Sequence, residues 1–211
     1  MESKLFTPVT FGPLTLRNRT IRSAAFESMC PGNAPSDMLL DYHRSVAAGG
    51  ISMTTVAYAA VTQSGLSFDR QLWMRPEIIP GLRRLTDAIH AEGAAAGIQL
   101  GHCGNMSHKS ICGCMPVGAS SGFNLYSPTF VRGLRADELP EMARAYGRSV
   151  NLAREAGFDS VEIHAGHGYL ISQFLSPSTN HRKDEFGGSL QNRMRFMDMV
   201  MEEVMKAAGS D

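Results

Sequence analysis

No run among these 211 residues is apolar and long enough to span a bilayer, and the opening Met-Glu-Ser-Lys-Leu-Phe lacks the apolar core of a signal peptide. Charge of one sign is also missing. Twenty Lys and Arg balance twenty Asp and Glu, which removes the electrostatic reason to expect nucleic acid or an anionic membrane as partner. Four cysteines without a regular framework do not make a disulfide scaffold and suit reduced thiols in a cytoplasm. No low-complexity stretch or linker divides the chain. Residues 1–211 therefore read as one domain, and a hydrophobic content of 43% is enough for a substantial core.

What is present is a repeating beat. Ala47-Ala-Gly49-Gly50 precedes Ile51–Tyr58, Ala91-Glu-Gly93 precedes Ala94–Leu100, and Glu155-Ala-Gly157 precedes Asp159–His164. Each time a helix closes on glycine and an apolar, strand-like run follows. Ile78, Leu82, Leu85 and Ile89 form one helical stripe, and Leu139, Tyr146, Val150 and Ala153 form another. Met194, Met197, Met201 and Val204 form a third, behind an N-cap at Ser189. With a first strand over residues 20–25, this predicts about four βα units on a parallel sheet. A (βα)8 barrel needs roughly 250 residues. The fold expected is thus α/β, the N-terminal half of a TIM barrel, with the chain stopping after Gly209-Ser-Asp211 where a fifth strand is due. A small open α/β sheet, complete as it stands, is the alternative.

The last of these strands carries the chemistry. Along Asp159-Ser-Val-Glu-Ile-His164, alternation puts Val161 and Ile163 on one face and Glu162 and His164 on the other. His167 and Tyr169 follow within five residues. Three proton-handling groups at one strand end serve no packing purpose, because a buried polar group without a partner costs stability. They read as an active-site rim.

The stretch from His164-Ala-Gly-His-Gly-Tyr169 through Asn180-His-Arg-Lys-Asp184 to Arg193-Met-Arg-Phe196 resembles the Old Yellow Enzyme family of FMN-dependent ene-reductases. Leu5-Phe-Thr-Pro with Leu16-Arg-Asn-Arg19, and Gly97-Ile-Gln-Leu-Gly-His-Cys-Gly104, are similar to the family's N-terminus and third strand. The resemblance implies an FMN-binding barrel that reduces activated C=C bonds of α,β-unsaturated carbonyl compounds with electrons from NADH or NADPH. It makes His164 and His167 the pair that binds the substrate carbonyl oxygen, and Tyr169 the proton donor. It sets Gln99 at the polar edge of the flavin ring, with Ser23, Ala24 and Ala25, then Ala57 and Tyr58, as segments against it. Phe26 stands where relatives often carry a threonine or cysteine, and is a candidate substrate contact. Asn105 replaces a common arginine. Asn180, Arg182, Asp184, Asn192, Arg193 and Arg195 read as scaffold behind Tyr169, with Lys183 and Glu185 solvated. The phosphate loops of such barrels follow strands seven and eight, beyond this chain.

Two other readings stand beside this one. His102, Cys103, His108, Cys112 and Cys114 crowd thirteen residues and could be a Cys/His metal site, although Cys112-Gly-Cys114 is tighter than ordinary zinc spacing. A half-barrel without activity of its own is the other, and its open sheet edges predict self-association with a second copy.

Overall fold

The computed structural model describes residues 3–209. Met1, Glu2, Ser210 and Asp211 lie outside the described residues, and with them the last two residues of the predicted glycine ending. An antiparallel hairpin comes first, β1 (Val9–Phe11) on β2 (Leu14–Leu16). Next are β3 (Ile21–Arg22), α1 (Asp37–Ala48), β4 (Met53–Ala60), α2 (Ile79–Ala91) and β5 (Ala95–Gly101). An excursion follows, built of α3 (Lys109–Cys112) and a small sheet of β6 (Val117–Gly118), β7 (Gly122–Asn124) and β8 (Thr129–Gly133). Then come α4 (Leu139–Glu155), β9 (Ser160–Ile163), α5 (Leu170–Leu175) and α6 (Leu190–Ala208).

The main sheet has the order β3-β4-β5-β9, and every pair in it is parallel. This is the expected unit order, with strands read at residues 20–25, 51–58, 94–100 and 159–164. The first strand is much shorter than expected. Arg22 turns its guanidinium onto Glu27 and the Ala25 carbonyl, and this curls the chain out of the ladder after two residues. β4 instead runs two residues past Tyr58.

Helix packing follows sequence chemistry. Ser36 caps α1 by accepting the Leu39 N–H, and Pro80 occupies the first turn of α2, where its missing N–H costs nothing. Gly157 takes a φ of 88° after α4, and a Cβ there would meet the Thr86 hydroxyl at 3.1 Å. The stripes of α2 and α4 are buried as predicted.

The third stripe is rotated from the expected one. α6 packs through Phe196, Val200 and Val204, with the Phe196 ring tilted against Phe174 of α5 at 4.5 Å. Met197 and Met201 are only half-buried and Met194 is exposed. Methionines and branched residues together cover more than one face of this helix, so spacing alone did not select the buried one. The N-cap at Ser189 does form, accepting from the Asn192 N–H. Phe196→Ala should lower unfolding free energy by roughly 3–5 kcal/mol, and Met194→Ala by less than about 0.5. Urea unfolding of the two variants checks which face is core.

Candidate active site

β4 does not pair evenly with β5. Val56 faces Ile98 and Ala59 faces Leu100, so Ala57 and Tyr58 together oppose Gln99. The bulge leaves the Ala57 N–H outside the ladder, and both carboxylate oxygens of Glu27 accept it at 3.1 Å. Glu27 is buried, as a carboxylate seldom is without a partner. Arg22 supplies that partner at 2.7 Å, and His43, itself bonded to Thr54, lies 3.4 Å away. This network was not legible in the sequence. Its effect is to aim Tyr58 to the far side of the sheet, where its hydroxyl donates to the Gly65 carbonyl or the Ser67 hydroxyl.

His164 follows β9 directly, and its N–H still bonds the Leu100 carbonyl. Its Nδ1 accepts the Gly166 N–H at 3.3 Å, which places the ring proton on Nε2. That Nε2 lies 3.1 Å from His167 Nδ1, so the His167 proton sits on its own Nε2. His167 and Gly168 both take positive φ, 55° and 68°, in a turn closed by Tyr169 N–H to Gly166 carbonyl. Left-handed backbone at a non-glycine residue is uncommon and points to a functional constraint. The Tyr169 ring lies 4.6 Å from His164 and 5.4 Å from Tyr58.

Gln173 of α5 fastens this turn. Its amide donates to the Gly168 carbonyl at 2.6 Å, to the Cys103 carbonyl and to the Asn105 side chain, while its oxygen accepts the Asn105 N–H. Nothing in the sequence marked Gln173 for this role, since it joins the nearby Gly168 carbonyl to Cys103 and Asn105, about seventy residues earlier. Asn105 thus holds the loop after β5.

Electrostatics sets the protonation of the cluster. Burial, and then His167 beside it, pushes the His164 imidazole down from its ordinary value, which favours its neutral form. Burial pushes the Tyr169 phenol up, which keeps its proton in place.

Ala24, Ala25 and Phe26 from beyond β3, Ala57 and Tyr58 from the bulge, Gln99, His164, His167 and Tyr169 line one cavity of about 190 Å³. Phe68, stacked 4.8 Å from Phe26, joins them. Ser23 is exposed and contributes nothing to the lining. A second cavity of about 500 Å³ opens on the other side of His167, against Asn105, Met106 and Tyr126. The first cavity offers small methyl side chains over which a flat ring can approach backbone. The Gln99 amide stands at its edge, donating to the Glu162 carboxylate. These residues fit the ring of a flavin. The lining holds no Lys or Arg, so it does not fit a phosphate.

A family model described as NADH:flavin oxidoreductase / NADH oxidase matches residues 4–211. The chain belongs to this flavin oxidoreductase family. It is 43% identical over 206 residues to the 4,4'-dithiodibutanoate disulfide reductase of Rhodococcus erythropolis, covering 98% of this chain and 51% of that protein. It is 36% identical to the NADPH dehydrogenase of Bacillus subtilis, covering 97% of this chain and 60% of that one. The Old Yellow Enzyme homologue from Zymomonas mobilis superimposes with a TM-score of 0.91 at 30% identity, over 98% of this chain and 61% of that structure. The chain thus spans about half the length of the curated relatives it matches. Its four strand–helix units are half of the family's (βα)8 barrel.

In this member of the family the crowded 102–114 segment is dispersed among separate partners. His102 accepts the Gly104 N–H and faces the Ser64 hydroxyl, and His108 bonds Ser127 at 2.6 Å. Among the described residues no three His, Cys, Asp or Glu side chains converge as a metal site. The scaffold block behind Tyr169 holds together as expected. Arg182 pairs with Asp184 and donates to the Ala119 carbonyl, Asn180 bridges the Phe174 and Phe186 carbonyls, and Lys183 and Glu185 are exposed.

Two stability tests follow. Glu27→Gln leaves Arg22 without its counter-charge and should cost roughly 3–5 kcal/mol in urea unfolding; a loss below about 1 kcal/mol would show that the bulge does not depend on the carboxylate. His102 is fully buried, and burial pushes its pKa down to about 3. The unfolded ring binds a proton near pH 6.5 and the folded ring only near pH 3. Its contribution is therefore whole above pH 6.5 and is lost as pH falls, by up to about 1.4 kcal/mol per unit. Unfolding free energies measured from pH 7 to 4 should show that dependence in the wild type and its reduction by one proton in His102→Gln.

Proposed function

We propose that this chain carries the substrate clamp and the ring-binding part of an FMN-dependent oxidoreductase. It reduces activated C=C bonds of α,β-unsaturated carbonyl compounds with electrons from NADH or NADPH. The observation that carries this reading is the pair of imidazoles 3.1 Å apart beside the Tyr169 phenol, at a C-terminal strand end and over an alanine-floored cavity. Relatives described as NADPH dehydrogenase and as morphinone reductase bound to tetrahydroNAD support the same reading.

When bound, the flavin supplies a hydride to the β-carbon. Ala24, Ala25, Ala57 and Gln99 are the residues that would hold its ring. His164 and His167 each present an Nε2–H, and a carbonyl oxygen seated between them takes the donor that His164 otherwise shares with His167. As charge builds on that oxygen, two fixed donors stabilise it without either ring having to change charge. Tyr169, held protonated by burial, delivers its proton to the α-carbon as general acid. Phe26 and Phe68 form an apolar wall for the rest of the substrate.

Titrated with excess FMN, the chain should perturb the visible flavin band, the phosphate grip lying outside it. With FMN present in excess, Tyr169→Phe should slow alkene reduction by about 10²-fold or more while NAD(P)H still reduces the flavin within roughly 2-fold. His164→Ala should cost the alkene step about 10²–10³-fold. Equal loss of both half-reactions in Tyr169→Phe would sink the proton-donor role, and a flavin band left unperturbed at saturating FMN would sink the ring site.

A further inference from the structure

Residues 112–114 hold a second reactive group, on which the flavin reading makes no claim. Cys112 ends α3, Gly113 turns in the left-handed region with φ 74° and ψ −2°, and Cys114 follows. The turn brings the two sulfurs to 3.8 Å. The Cys114 thiol points at the Cys112 sulfur, and the Cys112 thiol donates to the Cys114 carbonyl at 3.2 Å. Both are free thiols, Cys112 buried and Cys114 exposed. A reagent in solvent therefore reaches the second sulfur only through the first. Cys114 also lines, with Thr62, Ser64, Met115, Arg132 and Arg148, a cavity of about 600 Å³, the size of a small-molecule site.

We propose that Cys112 and Cys114 form a dithiol that exchanges with small organic disulfides, Cys114 attacking and Cys112 resolving. In the first step the Cys114 sulfur loses its proton to solvent and bonds one sulfur of the disulfide, and the other leaves as a thiolate. In the second, Cys112 gives up its proton, attacks the Cys114 sulfur and expels the remaining half. Two thiols are oxidised to one disulfide, and one external disulfide is reduced to two thiols. Closing from 3.8 Å to the ~2.05 Å bond moves the exposed Cys114 onto a fixed, buried partner. An external dithiol reverses the reaction. Burial, and then Cys112 beside it, pushes the Cys114 thiol up from its ordinary value, and Arg132 offsets only part of this, so the attacking thiolate grows as pH rises. The other two thiols are poor competitors, since Cys30 and Cys103 are buried and burial pushes both up to about 12.

The test uses the reduced chain, freed of reductant and without FMN, mixed with 5,5'-dithiobis(2-nitrobenzoate). Failure here leaves the flavin reading untouched. The wild type should release two coloured thiolates per chain, keep no adduct, lose two hydrogens in mass, and yield a Cys112–Cys114 linked peptide. Cys112→Ser should release one thiolate and retain the adduct on Cys114, and Cys114→Ser should release none on that timescale. Cys112→Ala serves as a second variant, with circular dichroism confirming that each is folded. A wild type that keeps its adduct after one release, fails to react while folded, or links through Cys30 or Cys103 overturns the proposal.

Discussion

The Glu27 carboxylate holds a backbone N–H that the main sheet gives up, and the geometry of the site rests on that exchange. A bulge in the middle of a parallel sheet strands a polar group where water does not reach, and such a group must be paired. Glu27 pairs it, and Arg22 balances the charge this brings inside. In return the strand changes face. Val56 and Ala59, three apart, both join the helix-side core, while Tyr58 and Ala60 build a separate cluster with Leu66 and Cys103 under the site. The phenol of Tyr58 and the floor at Ala57 are where they are because of an acid that reaches the cavity only through the Ala57 backbone N–H.

A second constraint acts from the opposite side. The turn carrying His167 is short, left-handed at two successive residues, and secured by a single amide on the helix that follows. Gln173 also grips the loop after β5, so the two walls of the cavity system share one fastening. The donors proposed on His164 and His167 are consequently fixed in the fold itself. Fixed donors of this kind lower a barrier without reorganising during the reaction.

Much of this fold was legible because helices repeat their burial every three to four residues and end on glycine. The stripes at Ile78–Ile89 and Leu139–Ala153 came from that period, and the strand positions from the apolar runs of the same repeating beat. The stripe on α6 did not, because an apolar surface wider than one face leaves the choice to the neighbours, here Phe174. The three-stranded excursion between β5 and α4 passed as loop, since its strands are two to five residues long. The histidines and Tyr169 stood out by residue type. Glu27, Phe68, Glu162 and Gln173 did not, because their roles arise from partners distant in sequence.

The left-handed backbone at His167 narrows what evolution or design can place there. The position asks for a side chain that donates a hydrogen bond into the cavity and also tolerates positive φ. Glycine relaxes the turn and removes the donor; serine or lysine keeps a donor at the expense of strain. Histidine and asparagine are among the few residues that meet both conditions. Asparagine at position 167 would keep both the turn and a donor while shortening the reach of that donor into the cavity.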